Sequence, residues 1–208
     1  TAAFHGAAVA NHAKAVAVTR DAQGPGPKRS RVFAAGRLWD EAKNLAALDA
    51  VAGGLPWRVE VAGSCTHPDG RTVQPAHAVA LGELPADAVA RHMATASIYA
   101  LPARYEPFGL SVLEAGLAGC ALVLGDVPSL REVWGDAATF VAPDDHGALR
   151  EALLALIRDP ELLQRRATTA RQRALQFGTG RMVAAYLDAY ARLSPAFAAV
   201  DVEDLQCA

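Results

Sequence analysis

Two carboxylates and two cations mark where this sequence could do chemistry. Glu106 and Glu114 are separated by seven residues in Glu106-Pro107-Phe108-Gly109-Leu110-Ser111-Val112-Leu113-Glu114. An ionised carboxylate accepts paired hydrogen bonds, so each suits a vicinal diol. Arg37 and Lys43 belong to a second stretch, Gly36-Arg37-Leu38-Trp39-Asp40-Glu41-Ala42-Lys43-Asn44. A guanidinium offers a planar fork for two oxygens and an ammonium a point charge. Set beside a helix N-terminus, the pair forms a site for a diphosphate. Hydrogen bonds to charged groups contribute roughly 1.5–3 kcal/mol each, so two or three would supply much of a micromolar affinity. The competing reading is a solvated loop in which Arg37 and Lys43 pair with Asp40 and Glu41, a weak surface arrangement.

These groups act together only if the fold brings them to one place. From residue 31 short apolar strands alternate with helical spacing. Strands are expected at 31–35, 57–62, 78–81, 98–101, 121–124 and 139–141. Helices are expected at 43–51, 85–96, 109–118 and 129–133, and three more over 145–158, 160–176 and 179–193. The strands are rich in Val, Ala and Leu without polar alternation, as in a parallel sheet covered on both faces. The fold class is therefore α/β, a doubly wound, Rossmann-like parallel sheet, whose ligands bind beyond the carboxyl ends of the strands. Gly36, Gly63, Gly82 and Gly125 all fall at those ends.

In this arrangement Arg37 follows the first strand and Lys43 opens the first helix. Glu106 projects from the loop after the fourth strand, and Glu114 sits more than one turn into the following helix. That helix begins near Gly109, so the N–H groups of Phe108, Gly109 and Leu110 are expected to be unpaired and to face the cleft. Leu110, Val112, Leu113 and Leu117 make it a mostly buried helix, where a carboxylate needs a partner.

Composition narrows the field. The chain has 208 residues, 52% of them hydrophobic, and a formal net charge of −2. No basic surplus points to nucleic acid. Cys65, Cys120 and Cys207 are too few and too scattered for a disulfide framework or a metal knuckle, which fits a reducing cytoplasm. His77, His92 and His146 show no zinc spacing, and His5 and His12 lie in an Ala-rich stretch. The charged face of Arg165, Arg166, Arg171 and Arg173 reads as solvated. Residues 64–77 read as an insertion, a lid or a disordered loop. Residues 1–18 could form a helix and a short strand, and the Gly-Pro repeats after them break regular structure. The expected division is a tail and linker over 1–30, a remnant of a separate amino-terminal domain, then a ligand-binding domain over 31–208.

Three stretches resemble the carboxy-terminal, donor-binding domain of GT-B glycosyltransferases, family 4 type: Gly36-Arg37-Leu38 with Lys43-Asn44, the two-glutamate segment 106–115, and Gly125-Asp126-Val127-Pro128-Ser129-Leu130-Arg131-Glu132-Val133. The resemblance implies a retaining glycosyltransferase of carbohydrate biosynthesis. It would use a UDP-, GDP- or ADP-linked sugar without metal or other cofactor. It assigns the diphosphate to Arg37 and Lys43, the transferred sugar to Glu106 and the ribose to Glu114. Gly36, Phe108, Gly109, Leu110 and Ser111 would line the site, and the base would lie near Gly82 and Leu84. Arg37, Lys43 and Glu106 would be the catalytic residues. It also implies an acceptor-binding amino-terminal domain that these 208 residues lack, a cytoplasmic setting and peripheral membrane association of the full enzyme. Two other readings remain, a non-catalytic domain keeping the fold and a sugar-nucleotide epimerase of like architecture.

Overall fold

A computed structural model of the chain describes residues 27–193. Within them six strands form one sheet: β1 (Arg29–Ala35), β2 (Arg58–Ala62), β3 (Val79–Gly82), β4 (Ala96–Leu101), β5 (Ala121–Gly125) and β6 (Thr139–Val141). All pair in parallel, in the order β3-β2-β1-β4-β5-β6. The helices are α1 (Leu45–Ala52), α2 (Ala86–Thr95), α3 (Leu110–Leu117), α4 (Pro128–Trp134), α5 (His146–Arg158), α6 (Pro160–Ala174) and α7 (Thr179–Leu193). Helices α1 and α5 pack together on one face of the sheet, and α2, α3 and α6 on the other. The doubly wound fold expected from the alternation is the fold observed.

The apolar strand composition has its reason in this double cover. Every residue of β4 and β5 is buried, as central parallel strands must be. Register stacks Val32 beside Val59 on one side and Ile98 on the other. Phe33, Tyr99, Leu122 and Leu124 complete a dry centre. From β1 the chain winds outward to β3, returns through α2, and winds the other way from β4. The loops after β1 and β4 therefore diverge, and the crevice between them is where ligands of such sheets bind.

Several expectations change in detail. The sheet starts at Arg29, two residues inside the expected linker. Ser97 Oγ donates to the Arg29 carbonyl at 2.7 Å, and the Lys28 ammonium to the Ala118 carbonyl at 2.6 Å, just past the end of α3. The 64–77 segment is an anchored excursion. A bridge pairs Thr66 with Thr72, and the Asp49 carboxylate accepts the N–H groups of Ala76, His77 and Ala78. The arginine face of α6 is only partly solvated. Arg166, Arg171 and Arg173 donate to the carbonyls of Asp136, Leu117 and Val133, which lie where preceding helices run out of internal donors. The expectation for residues 1–18 lies outside the described residues.

The carboxyl edge is held by close backbone contacts. A Cβ at Gly63 (φ 144°) would stand 1.9 Å from the Gly36 carbonyl, and one at Gly125 would stand 2.0 Å from that of Ala103. Asn44 adds a clamp. It is 2% exposed, and its side-chain amide donates to the carbonyls of Pro102 at 2.8 Å and Pro143 at 2.7 Å. One side chain thus joins the loops after β1, β4 and β6. Its backbone is left-handed, φ 54°, which Asn tolerates better than most residues. Asn44→Ala should therefore lower unfolding free energy by about 3 kcal/mol, from two orphaned carbonyls and a strained backbone. Asn44→Gly, which relieves the backbone, should recover about 1 kcal/mol of that. Urea titration measures both, and an unchanged midpoint for the Ala variant would remove the clamp from the account.

Candidate functional site

The loop after β1 leans on the end of β2. Gly36 N–H donates to Ala62 and Leu38 N–H to Ser64, each at 2.9 Å. The Arg37 guanidinium lies over the Trp39 ring, 4.8 Å from its centre, and meets Asp40 at 2.5 Å. Its side chain stays 58% exposed. The local Arg–Asp pair weighed from sequence is thus present for Arg37. Lys43 behaves differently, because its ammonium reaches across the crevice to Glu106 Oε2 at 2.5 Å. Lys43 also stands further from the helix than expected. It lies in a turn, and the left-handed Asn44 separates it from α1, which begins at Leu45.

The loop after β4 supplies the other wall. Arg104 and Tyr105 donate their N–H groups to the Ala42 carbonyl at 2.9 and 3.3 Å, tying this loop to the turn that carries Lys43. Glu106 is held at three points. Its Oε1 accepts the Gly109 N–H at 3.0 Å, its Oε2 faces Lys43, and its carbonyl accepts from Ser129 Oγ at 2.6 Å. This corrects one expectation, that the N–H groups of Phe108, Gly109 and Leu110 would all be unpaired. The Gly109 donor is taken by Glu106. Leu110 and Ser111 open the first turn of α3, where N–H groups have no intrahelical acceptor. Gly109 itself has φ 82°, so the chain turns into α3 in a conformation open to glycine. The Leu110 side chain is 52% exposed, so the expected burial of this helix begins only at Val112 and Leu113. Phe108 points away from the crevice and packs edge-on against Phe177, with ring centres 5.7 Å apart.

Beneath the crevice lies a polar pair in an apolar setting. The fully buried Tyr99 hydroxyl meets Ser111 Oγ at 2.8 Å and the Ala35 carbonyl at 3.3 Å. Burial pushes the phenol well above its ordinary pKa, and the nearby Glu114 and Glu106 carboxylates add to that. Tyr99 therefore remains a neutral donor. Ser111 and Glu114 stand three positions apart on α3 and share a face. The same buried phenol thus senses both glutamates from below. Lys43, Glu106, Ser111 and Glu114 gather at the β1/β4 parting, while Arg37, on the same loop as Lys43, is turned to Asp40 and Trp39.

Gly82 and Leu84 lie on the same edge but further out. Gly82 (φ 70°) ends β3 and accepts the Gly63 N–H at 2.8 Å. Strand β3 is two spacings from β1, about 10 Å, so these residues are reached only by an elongated ligand. A cavity of about 450 Å3 opens beside the Arg37 loop, lined by Leu38, Trp39, His67, Arg71 and Arg104 among others. Among the described residues no group of three or more His, Cys, Asp or Glu could hold a metal ion, and no helix is long and apolar enough to cross a membrane.

Sequence reasoning passed over Asn44, Tyr99 and Ser129 as positioning residues. Asn44 carried a readable signal, an amide at the mouth of a helix. Tyr99 sits inside an apolar strand, and nothing local shows which carbonyl it meets. The contact of Ser129 with Glu106 spans 23 positions of sequence and has no local mark.

Comparison with known proteins shows what this chain is similar to. Residues 73–173 match the family model of the glycosyl transferases group 1. That segment includes Glu106 and Glu114, whereas Arg37 and Lys43 precede it. The chain is 43% identical over 84 residues to a glycogen synthase of Mycobacterium tuberculosis, covering 39% of this chain and 20% of that protein. It is 31% identical over 110 residues to an O-antigen chain mannosyltransferase B of Escherichia coli, covering 53% and 29%. It spans between a fifth and a third of the length of the curated relatives it matches. Among solved structures, sucrose-phosphate synthase from Thermosynechococcus elongatus superposes with TM-score 0.68 at 21% identity, over 90% of this chain and 49% of that one. Anabaena HepE in complex with UDP-glucose gives 0.62 at 20% identity, over 71% and 44%. The sheet is thus the Rossmann-like half of a GT-B fold.

The buried hydroxyl pair can be tested without any ligand. Tyr99→Phe should lower unfolding free energy by about 1–2 kcal/mol, since the Ser111 hydroxyl and the Ala35 carbonyl each lose a partner. Equal stability in a denaturant titration would show that the pair contributes nothing to holding α3 against β1.

Proposed function

Because residues 73–173 match the family model of the glycosyl transferases group 1, we propose that this chain is the donor-binding half of a retaining glycosyltransferase. It binds a nucleoside-diphosphate sugar and presents it for metal-independent transfer to an acceptor. The observation that carries this reading is the meeting of Lys43 and Glu106 at 2.5 Å over the β1/β4 parting, with Arg37 on the same loop. Cations and acids converge where the topology leaves a crevice, and a nucleotide sugar needs both. Its phosphates need positive charge, and its hydroxyls need acceptors.

In this role Arg37 and Lys43 hold the diphosphate. As the bond between the sugar's anomeric carbon and the phosphate oxygen breaks, the electron pair stays on that oxygen and its negative charge rises. Cations already in place stabilise that change without reorganising, and they supply the neutralisation that a divalent ion would otherwise bring. Glu106 accepts from hydroxyls of the transferred sugar and Glu114 from the ribose. Backbone groups of Gly36, Phe108, Gly109, Leu110 and Ser111 line the path between them. The base lies outward, against the turn bearing Gly82 and Leu84, which suits the separation of β3 from β1. UDP-glucose is the first donor to try, given the complex of the Anabaena neighbour; GDP- and ADP-linked sugars come next.

The acceptor side belongs to a second domain on this reading. Helix α7 exposes Met182, Tyr186 and Tyr190, a stripe at four-residue spacing, and large apolar groups in a row call for a covering surface. The residues before β1 would then connect that domain to this one, and the assembled enzyme would work in the cytoplasm.

Calorimetric titration with UDP, GDP, ADP and UDP-glucose in the presence of a chelator tests the proposal. One of the nucleotides should bind. Arg37→Ala and Lys43→Ala should each weaken it by about tenfold or more, the loss expected for a charge-assisted contact. A folded sample that gives no heat with any of them would sink the reading.

A further inference from the structure

We propose that the Glu106 carboxylate is an internal stand-in for the donor's diphosphate, and that this makes the site discriminate a nucleotide sugar from the bare nucleoside diphosphate left after transfer. The inference rests on the donor-site reading above and adds a specificity role for Glu106. A carboxylate presents two anionic oxygens, as a phosphate edge does, and both are in use. One oxygen faces Lys43 at 2.5 Å and the other accepts the Gly109 N–H at 3.0 Å. Those are two of the donors the ligand itself requires. The pair is shielded, with side chains 24% and 12% exposed, so it is stronger than a surface ion pair. A diphosphate arriving while Glu106 stays in place would meet a like charge at contact distance.

The ligand must therefore displace the carboxylate, and the structure shows what can move. Ser129 Oγ holds the Glu106 carbonyl at 2.6 Å, so the backbone is fixed and the side chain alone swings. With a nucleotide sugar in the site, sugar hydroxyls give the displaced oxygens new donors. A bare nucleoside diphosphate offers none at that position, and it leaves the carboxylate unpartnered beside a polyanion. That cost is large for a group of low exposure. Once the sugar has left, Glu106 returns to Lys43 and Gly109 and competes directly with the product. No covalent change is involved beyond the transfer itself.

The test compares two ligands, UDP and UDP-glucose (or whichever nucleotide and nucleotide-sugar pair binds), on the wild type, Glu106→Gln and Glu106→Asp. Gln keeps an acceptor for the Gly109 N–H and drops the charge. Asp keeps the charge but is one methylene shorter and withdraws from Lys43. The expected result is that Glu106→Gln binds bare nucleotide about tenfold more tightly than wild type, the worth of one released charged contact. Nucleotide-sugar affinity should rise less or fall, so the preference for the sugar-bearing ligand shrinks. Glu106→Asp should move the same way by a smaller factor. If both folded variants bind bare nucleotide no more tightly than wild type, the stand-in is overturned while the donor-site reading survives. If neither ligand binds any of the three proteins, both fall together.

Discussion

One buried amide constrains everything that the carboxyl edge can do. Loops after parallel strands have no reason to stay together, since each leads to a helix packed elsewhere. Asn44 gives three of them a common anchor by donating to Pro102 and Pro143 from its own place after β1. Both acceptors are residues that precede or follow strands without supplying a ladder, so their carbonyls are available. The Ala42 carbonyl, two positions before Asn44, takes the N–H groups of Arg104 and Tyr105. Lys43 stands between these two fastenings. Fastened on either side, the Lys43 backbone is fixed facing Glu106, so pairing has only the lysine stem left to order.

Charge at this edge is arranged in pairs that a ligand can replace. Arg37 meets Asp40, Lys43 meets Glu106, and Arg104 meets Asp144. The three pairs differ in shielding. The Arg37 and Arg104 side chains are about half exposed, and water and salt weaken their attraction. The Lys43–Glu106 pair is the most enclosed, and it alone bridges the two diverging loops. Exchange at Arg37 costs less, because its partner is adjacent and the arginine side chain itself is 58% exposed even when paired. Exchange at Lys43 changes the surroundings of Glu106 as well, so on the proposed donor-site reading occupation of the phosphate region and of the sugar region would be coupled through one contact.

Much of the fold was legible before any coordinates. Strand and helix bounds differ by a residue or two, because apolar runs between glycines mark doubly covered parallel strands and little else. The candidate site was legible by residue type and by edge, since two motifs placed their charges after strands of the same sheet. Pairing was not. Asp40 and Glu41 are as near to Lys43 in sequence as Asp40 is to Arg37, yet only Arg37 keeps the local partner. Lys43 instead meets Glu106 from a turn tied to the loop after β4 through the Ala42 carbonyl, and such a long-range backbone tie leaves no periodic signature. The Gly109 N–H was misjudged for a related reason. Counting free donors at a helix start ignores a side chain three residues upstream that folds back as a cap. The anchoring of Arg171 and Arg173 is the same failure seen from the other end of helices, where orphan carbonyls recruit cations from a face that looks solvated in isolation.

The edge as it stands is one wall of a site. Tyr105 and Leu110, beside the charged pair, are 66% and 52% exposed, although both flank groups that must be desolvated to act. A second cavity, of about 470 Å3, runs from Phe108 past Phe177 to Met182 on α7, so the turn bearing Glu106 and the exposed stripe of α7 share a lining. On the donor-domain reading, a body laid over α7 would meet Phe108 in the turn that follows Glu106. Closing that wall raises the strength of every charge contact inside by excluding water. On this reading the last helix is more than an attachment point. Through Phe177 and Phe108 it would link the arrival of the proposed second domain to the turn that bears Glu106.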